Sequence, residues 1–307
     1  MIKSIEIHNF RCFEHLRIES CSRFNVIVGD NAAGKTALLE AIFMALGTSP
    51  EISVRFRQQR GLENSFAGPP RRIEEAIWKD LFHGGDWSRS ISINVQGDGA
   101  EARSLTIYRG PPKVEIPLDP DAGGESRTAP IVFDWLDSED KHHKAFPRLT
   151  SGGLQIEATD EDLPDFFYFS ANQTIPAGEN AARFSDLSRA GRATAFVELF
   201  TQEYRWIDDL NVEVLAGSPV IYATLRDNGR KLPLAYVSGG INRVVGIMLA
   251  IASRQQSVVL VDEVEDGIFH KHQPAVWRTL LSLGHTYDGQ VFATTHNEEW
   301  LQAVRIA

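Results

Sequence analysis

Hydrophobic residues near the N-terminus follow two different spacings, and each spacing predicts a different element. Residues 2–7 alternate between apolar and polar, which is typical of a strand with one buried face. Residues 24–28 form a nearly continuous apolar run, which predicts a strand buried on both faces. Over residues 36–46 the apolar side chains recur at helical spacing, and Gly47 follows as a C-terminal cap. The chain is therefore predicted to begin with two strands and a helix.

Shorter elements are predicted in the next part of the chain, where turn residues interrupt the apolar pattern. Glycine-containing turns separate three short strands and predict an antiparallel meander. The predicted elements are a helix at residues 73–82, strands at 90–95, 104–108 and 113–116, and a loop at 117–130. Within a single domain of 307 residues, we expect a helical and loop insertion at 48–83 and a loop-rich insertion at 117–150.

Helices and strands alternate in the second half of the chain, which favours a mostly parallel sheet. Asp227-Asn228-Gly229 is a hairpin turn signal, and the aromatic residues 166–169 are predicted to be core strand rather than a base-stacking surface. The predicted elements are a strand at residues 165–170, a helix at 187–206, strands at 212–215, 220–225 and 234–237, a helix at 240–253, a strand at 258–261, a helix at 273–283 and a strand at 290–294.

Composition is that of a soluble globular protein and narrows the choice of partners. The formal net charge is −10, so the overall basic character of many nucleic-acid-binding domains is absent. Two cysteines cannot form a disulfide framework, which favours a cytoplasmic location. The most apolar run, residues 244–252, is too short to span a membrane. A local arginine cluster has two interpretations, a solvated segment or a contact with a phosphate backbone; its members are Arg55, Arg57, Arg60, Arg71 and Arg72.

The histidines outside the motifs described below predict no zinc site. His142 and His143 lie in a charged stretch and are expected to be solvated. His270 and His272 are two residues apart, so on a helix they would lie on different faces.

The strongest chemical motif is Gly29-Asp30-Asn31-Ala32-Ala33-Gly34-Lys35-Thr36, which matches G-x-x-x-x-G-K-[ST] between a predicted strand and a predicted helix. Its glycines allow a tight turn, and the N–H groups of the loop and of the first helical turn, through Ala37, suit phosphate oxygens. We expect Lys35 to reach the β- and γ-phosphates of a nucleotide and the Thr36 hydroxyl to bind magnesium. The alternative is a structural glycine turn with a surface lysine.

A second motif places two carboxylates directly after a predicted buried strand. Asp262 and Glu263 follow four apolar residues, and parallel sheets bind ligands at the ends of such strands. Asp262 is expected to hold magnesium and Glu263 to polarise the attacking water. Lys35 and Asp262 lie 227 residues apart (262 − 35), so much of the chain must be inserted between the two motifs.

Two further segments complete an ordered set. Ser238-Gly239-Gly240 opens a predicted helix, whose N-terminal N–H groups suit an anion. His296 follows the last predicted strand and could hydrogen-bond a γ-phosphate. Taken alone, such a histidine is more often structural and such a glycine pair more often a turn, but their order after the phosphate loop favours function.

This ordered set resembles the ABC-type ATPases of the RecF, SMC and OLD group, which are AAA-family ATPases of the OLD-like type. The resemblance extends from residue 5 to His296. It includes Asn31 in the Walker A loop, Arg243 after the Ser238-Gly239-Gly240 signature, and the acidic segment from Glu265 to Gly267 after Walker B. Gln173 resembles the Q-loop residue, a further magnesium ligand, and Arg11 resembles an arginine near the nucleotide.

The resemblance implies an α/β fold: an ABC-type head with a mostly parallel core sheet, an antiparallel β subdomain and a helical lobe. Ala32 and Ile241 depart from the pattern of SMC proteins and of transporters. No long coiled coil is predicted, and we expect no OLD-type C-terminal nuclease domain.

The resemblance also implies ATP and Mg²⁺ as ligands and a homodimer in which Ser238 and Gly240 of one subunit contact the nucleotide held by Lys35 of the other. A role in DNA repair or in defence against foreign DNA is expected, with a nuclease or effector as protein partner and DNA as a possible partner. The alternative is an ATP-sensing scaffold that holds and releases an effector. A small-molecule kinase fits poorly, because it leaves Ser238-Gly239-Gly240 and His296 unexplained.

Overall fold

The computed structural model describes residues 1–60, 70–99, 102–110, 131–150, 153–155, 166–171, 175–297 and 300–302. The chain divides into two compact units. The first unit comprises Met1–Ser22 and Gly34–Pro164, and the second comprises Arg23–Ala33 and Asp165–Ala307. The assignment of residues 1–307 to a single domain stays a prediction.

The elements are numbered in chain order. The strands are β1 (Ile2–Phe10), β2 (Phe13–Ile18), β3 (Phe24–Val28), β4 (Ile91–Gly97), β5 (Arg103–Arg109), β6 (Ile131–Leu136), β7 (His142–Ala145), β8 (Arg148–Thr150), β9 (Gly153–Gln155), β10 (Phe166–Phe169), β11 (Ile207–Leu215), β12 (Ser218–Leu225), β13 (Lys231–Pro233), β14 (Val258–Val261) and β15 (Gln290–Thr295). The helices are α1 (Lys35–Leu46), α2 (Glu51–Gln59), α3 (Pro70–Trp78), α4 (Ala177–Arg189), α5 (Ala193–Glu203), α6 (Leu234–Val237), α7 (Gly239–Ser253) and α8 (Gln273–Thr286).

The first unit is an antiparallel sheet of six strands in the order β2-β1-β4-β5-β6-β7, with α1 packed on it. The apolar positions of its strands alternate with polar ones, as Ile91, Ile93 and Val95 of β4 do, so one face of the sheet is buried. The buried Trp135 of β6 donates its indole N–H to the carbonyl of Met44 in α1 at 2.9 Å. This bond satisfies a polar group inside the core between sheet and helix.

The second unit has a parallel sheet in the order β10-β14-β15-β3 and an antiparallel sheet in the order β11-β12-β13. Every residue of β14 and β15 is buried. Helix α7 is buried on all sides from Asn242 to Ala252, which explains its almost uninterrupted apolar sequence. The parallel sheet and the hairpin turn at Asp227-Asn228-Gly229 confirm the sequence predictions, and Gly229 has the positive φ of 65° that the turn requires.

Several boundaries differ from the prediction. The helix predicted at residues 187–206 is two helices, α4 and α5, separated at Gly191, which has a φ of 71°. The segment 234–237 is a single helical turn rather than a strand, because it buries Leu234 while Ala235 and Tyr236 face solvent. Strand β3 is an edge strand of this sheet. Its first four residues are partly buried and Val28 is exposed, so its apolar run does not reflect burial on both faces.

The two predicted insertions contain more regular structure than expected. Residues 48–83 include α2, which was not predicted, and α3, which begins before the expected position. Residues 131–150 of the supposed loop-rich segment form β6, β7 and β8. His143 was expected to be solvated but is buried, with its Nε2 atom 2.8 Å from Asp137 Oδ2. The predicted strand at 113–116 and the loop at 117–130 lie outside the described residues.

The arginine cluster is partly engaged within the first unit. Arg55 lies 3.9 Å from Glu51, and Arg60 donates to both carboxylate oxygens of the buried Glu40 at 2.9 Å. The side chains of Arg71 and Arg72 lie outside the described part. Among the described helices, none is both long and apolar enough to cross a bilayer.

Candidate functional site

The carboxyl ends of four parallel strands define one edge of the sheet in the second unit. Gly29 follows β3, Asp262 follows β14 and His296 follows β15, and these strands pair in parallel. Parallel strands present their carboxyl ends at the same edge, where α/β proteins bind ligands. The fold therefore brings the start of the phosphate loop, the acidic pair and the predicted histidine to a common edge.

The loop after β3 contains two residues in the left-handed backbone region. Ala32 and Gly34 have positive φ values of 63° and 98°, and the Ala33 N–H donates to the Asp30 carbonyl at 3.2 Å. A Cβ on Gly34 would lie 2.7 Å from Cys12 Sγ, so a side chain is excluded there by contact as well as by conformation. Residues 30–33 are exposed, which leaves the outer part of the loop open to a ligand.

The loop is also where the chain passes between the two units, since Ala33 belongs to the second and Gly34 to the first. Helix α1 begins directly after the loop, with Gly34 as its N-terminal cap. Lys35, Thr36 and Ala37 therefore form the first turn, at the positive end of the helix dipole. Such a turn favours an anion.

Thr294 holds the acidic pair in place from the neighbouring strand. Its hydroxyl donates to Asp262 Oδ1 at 2.6 Å and accepts the Glu263 N–H at 2.9 Å. Glu263 has a positive φ of 48°, an uncommon conformation for a residue with a side chain. The Asp262 N–H donates to the Phe169 carbonyl at 2.8 Å, which fixes the residue on its other side.

The Glu263 carboxyl is about one-third exposed and lies among like charges. Partial burial, followed by the carboxylates of Asp266 and Asp262, raises its pKa above the ordinary value of 4.5. His296 opposes this shift, with its Nδ1 atom 3.8 Å from Glu263 Oε1. A carboxyl group with a raised pKa and access to solvent is suited to accept a proton from water.

Glu265 is a site residue for which no role was predicted from the sequence. Its Oε1 atom accepts a hydrogen bond from Thr295 Oγ1 at 2.8 Å and one from the His296 N–H at 3.1 Å. The His296 Nδ1 atom also lies 3.4 Å from Glu265 Oε1. Glu265 is 8% exposed, and its other oxygen has no hydrogen-bond partner within the described chain. Its position in the acidic segment after Asp262 was the available signal.

The Ser238-Gly239-Gly240 segment caps α7. The Ser238 hydroxyl accepts the Ile241 N–H at 3.4 Å, and Ser238 is the N-cap residue. Gly240 packs against backbone, because a Cβ there would lie 1.7 Å from the Gly267 carbonyl oxygen. At Gly239 a Cβ would meet nothing within 4 Å. The two neighbouring glycines therefore have different structural roles.

Arg243 links α7 to two strand ends of the parallel sheet. It is 8% exposed and donates to the carbonyl of Ser170 at 2.8 Å and to that of Asp262 at 2.6 Å. Burial lowers its pKa, but an arginine remains charged in proteins. The signature segment is thus tied to the acidic pair through a charged side chain.

Arg11 and Gln173 were predicted as site residues from the resemblance alone, and only Arg11 lies among the described residues. Arg11, with a φ of 50°, lies in the first unit, where its Nε atom is 2.7 Å from the buried Glu40 of α1. It therefore contacts the helix that follows the phosphate loop. Gln173 lies outside the described residues, and its role as a magnesium ligand stays a prediction.

The donors at the sheet edge suit a magnesium nucleotide. Carboxylate oxygens are the ligands that a hard cation prefers, and Asp262 supplies them. The second carboxylate oxygen of Glu265 is buried and accepts no hydrogen bond within the described chain. This sheet edge therefore has an acceptor left for a ligand. The loop that follows β3 at the same sheet edge suits phosphate groups. The chemistry of the residues therefore fits both parts of the ligand.

Two family models match the sequence. One, described as "AAA domain", matches residues 4–110. The other, described as "AAA domain, putative AbiEii toxin, Type IV TA system", matches residues 91–301 and so covers more than half of the chain.

Individual relatives agree with these matches. An ATP/GTP phosphatase of Helicobacter pylori is 21% identical over 327 residues, covering 98% of this chain and 87% of that protein. The DNA replication and repair protein RecF of Lachnoclostridium phytofermentans is 37% identical over 73 residues, 24% of this chain and 20% of that protein. A solved SMC head, bound to the C-winged helix domain of ScpA, has a TM-score of 0.53 at 12% identity, covering 98% of this chain and 91% of that one, which shows a shared fold.

Proposed function

Because the chain belongs to the AAA-domain family and is an ATPase of the ABC type, we propose that it binds ATP at residues 29–36, hydrolyses it with Glu263 as the base, and works as a homodimer closed by ATP. The observation that carries this proposal is the common sheet edge at which the Gly29 loop, the Asp262–Glu263 pair and His296 follow parallel strands. A phosphate-binding loop next to carboxylates is the arrangement that phosphoryl transfer to water requires.

Each residue has a distinct role in this proposal. Lys35 binds the β- and γ-phosphates, and the loop N–H groups orient them. Thr36 and Asp262, with Gln173, would hold magnesium, which when bound neutralises charge on the phosphate oxygens. Glu263 accepts a proton from the attacking water, and its raised pKa supports that assignment. His296, positioned by Glu265, hydrogen-bonds the γ-phosphate.

Exposed apolar side chains support the dimer. Large hydrophobic residues border both motifs that would meet across ATP. Val28 is 53% exposed directly before Gly29, whereas Tyr236 is 79% exposed two residues before Ser238. Trp206 and Phe269, 44% and 58% exposed, line a pocket of about 210 Å³ together with Ser238 and Gly240. Trp206 and Phe269 thus form an apolar lining next to the signature segment, and such a lining favours an interaction site. In the dimer, Ser238 and Gly240 would contact the nucleotide held by the partner's loop.

The cellular role has two candidates. The RecF relative is named for DNA replication and repair, which supports an ATP-driven conformational change in DNA repair or in defence against foreign DNA. The family description names a toxin–antitoxin system, which supports an ATP-sensing scaffold that holds and releases an effector or nuclease. ATP turnover measured with and without DNA separates them, because only the first role predicts stimulation by DNA.

The experiment that tests hydrolysis compares Glu263→Gln with Glu198→Gln, an exposed glutamate on α5. Removal of a general base should lower turnover by about 10²- to 10⁴-fold. ATP affinity should be retained, and ATP should trap Glu263→Gln as a dimer in light scattering. The Glu198→Gln control should match the wild type. Normal turnover in Glu263→Gln would remove Glu263 as the base.

A shared site is tested by mixing two inactive variants. Lys35→Ala should abolish ATP binding, and Ser238→Arg should block contact with the partner's nucleotide. A heterodimer of the two restores one intact composite site, so the mixture should regain part of the lost turnover. If no ratio of the two variants regains activity, the result argues against a shared site.

A further inference from the structure

The first hairpin places two histidines and a glutamate together on the outer face of its sheet. His8 of β1 and His15 of β2 are direct cross-strand partners, and Glu6 lies two residues before His8 on the same face. Ile5 and Ile7, which flank Glu6 along the strand, are buried and point into the core. The side chains of Glu6, His8 and His15 are 35%, 44% and 52% exposed, so solvent reaches the cluster.

The Nε2 atom of each imidazole lies close to one carboxylate oxygen of Glu6. The Nε2 atoms of His8 and His15 lie 3.2 Å and 3.1 Å from Glu6 Oε1. The two rings stack with their centroids 4.3 Å apart and their planes 11° from parallel. One donor atom from each of the three residues therefore lies within 4.8 Å of the other two.

The two nitrogen–oxygen separations match those of atoms that share one metal ion. Zinc binds imidazole nitrogen and carboxylate oxygen at about 2.0–2.2 Å. Ligand atoms at that radius are separated by about 3.3 Å in a tetrahedral site and about 2.9 Å at neighbouring octahedral positions. The two nitrogen–oxygen distances to Glu6 fall between these values.

We propose that Glu6, His8 and His15 form a binding site for a divalent transition-metal ion, with zinc as the occupant. Two imidazoles and one carboxylate suit zinc, copper or nickel, whereas magnesium prefers oxygen ligands alone. Three protein ligands leave a fourth position for water. The site is distinct in chemistry from the proposed magnesium site at Asp262, and it requires neither ATP nor a dimer.

The neighbouring charges are compatible with a cation. Arg17 lies opposite Glu6 in the strand register, but its Nη2 atom is 2.8 Å from Glu19. On the other side, the register partners of Glu6 and His8 on β4 are the uncharged Asn94 and Ser92. The sequence predicted no zinc site, because His8 and His15 are separated by the hairpin turn and only strand pairing brings them together.

A bound ion would link β1 to β2 in addition to the backbone hydrogen bonds that already pair them. The turn of this hairpin holds Arg11, which contacts Glu40 of α1, and Cys12, which packs against Gly34. Metal binding would therefore stabilise the strands that carry this turn.

The test is a titration of Zn²⁺ into the nucleotide-free full chain after dialysis against EDTA, followed by calorimetry. The wild type and His285→Ala, which removes an exposed histidine of α8, should each bind one high-affinity ion. His8→Ala and His15→Ala should bind at least about 100-fold more weakly, since even the outer partners of metal ligands contribute about 10- to 100-fold. Circular dichroism checks that each variant is folded.

Loading with Cu²⁺ gives an independent spectroscopic measurement. Electron paramagnetic resonance should show coupling to two imidazole nitrogens in the wild type and to one in either histidine variant. The proposal is overturned if the wild type binds zinc no more tightly than the His8→Ala, His15→Ala double variant. A copper spectrum that is the same in all variants would overturn it as well.

Discussion

Arg243 of α7 donates to the backbone carbonyl of Asp262 at 2.6 Å and thereby joins the helix of the signature segment to the acidic pair. Its other terminal nitrogen donates to Ser170 at the end of β10. A buried guanidinium that binds two carbonyls fixes the relative position of three elements, since its fork geometry is rigid. The helix of the signature segment and the Asp262 backbone are therefore in direct contact through one buried side chain.

Replacement of Arg243 should destabilise the protein. Arg243→Ala leaves two buried carbonyls without their charged donor, so the free energy of unfolding should fall by about 3 kcal/mol. The free energy of unfolding of Arg243→Lys should lie between those of Arg243→Ala and the wild type, because lysine cannot reach both acceptors in the same geometry. Urea denaturation measures the change. Arg278→Ala, at an exposed position on α8, is the control and should differ by less than about 0.5 kcal/mol.

Substitution by alanine should affect stability differently at the two glycines of the signature segment, Gly239 and Gly240. Gly240→Ala places a Cβ against the Gly267 carbonyl and should cost about 1–3 kcal/mol of stability, as overpacking does. Gly239→Ala enters open space and should cost nothing measurable. The melting temperatures of the Gly239→Ala and Gly240→Ala variants provide the comparison. Equal melting temperatures would mean that the Gly240–Gly267 contact relaxes without cost.

The Thr294 hydroxyl should support ATP turnover because it holds Asp262 in position. Thr294→Val keeps the shape of the side chain but removes both hydrogen bonds to the acidic pair, so ATP turnover should fall by about 10- to 100-fold. Thr294→Ser keeps the hydroxyl and should retain most of the activity. Thr286→Val, on the exposed face of α8, should turn over ATP at the wild-type rate. A Thr294→Val enzyme with normal turnover would show that Asp262 is positioned without this contact.

The raised pKa of Glu263 predicts the pH dependence of hydrolysis. As a base, Glu263 must be deprotonated, so turnover should decrease as the pH falls through its folded-state pKa, above the ordinary 4.5. Turnover at saturating ATP, measured from pH 5 to pH 8, checks this. The residual activity of Glu263→Gln should lack this acid limb.

The same shift predicts how stability depends on pH. A carboxyl group whose folded-state pKa is raised binds its proton more tightly in the folded protein, so its favourable contribution is complete below the unfolded pKa and is lost as pH rises through the folded pKa. Glutamine carries no charge and avoids that loss. Glu263→Gln should therefore melt at a higher temperature than the wild type at pH 8, with a smaller difference at pH 5. An unchanged difference between the two pH values would contradict the shift.

The sequence predicted the motifs of the candidate site because each is contiguous. The phosphate loop needs glycines and a lysine at fixed spacing between a strand and a helix, and all of that is local. The parallel sheet was also predictable, since the apolar runs at 258–261 and 290–294 alternate with helical patterns. Boundaries were less predictable: the break at Gly191 interrupts an apolar pattern that otherwise continues at helical spacing.

Residue types and their spacing are enough to propose which residues bind a nucleotide and to predict the chain order of the strands that carry them. Contacts in the folded chain select the partners that hold those residues. Glu265 contacts Thr295, thirty positions away, because β14 and β15 pair in parallel. Arg243 binds backbone carbonyls, which every residue has and no sequence pattern marks. His8 meets His15 because of one hairpin register. Local spacing specifies elements, whereas contacts between distant residues depend on strand order and register, which the packing of the whole chain selects.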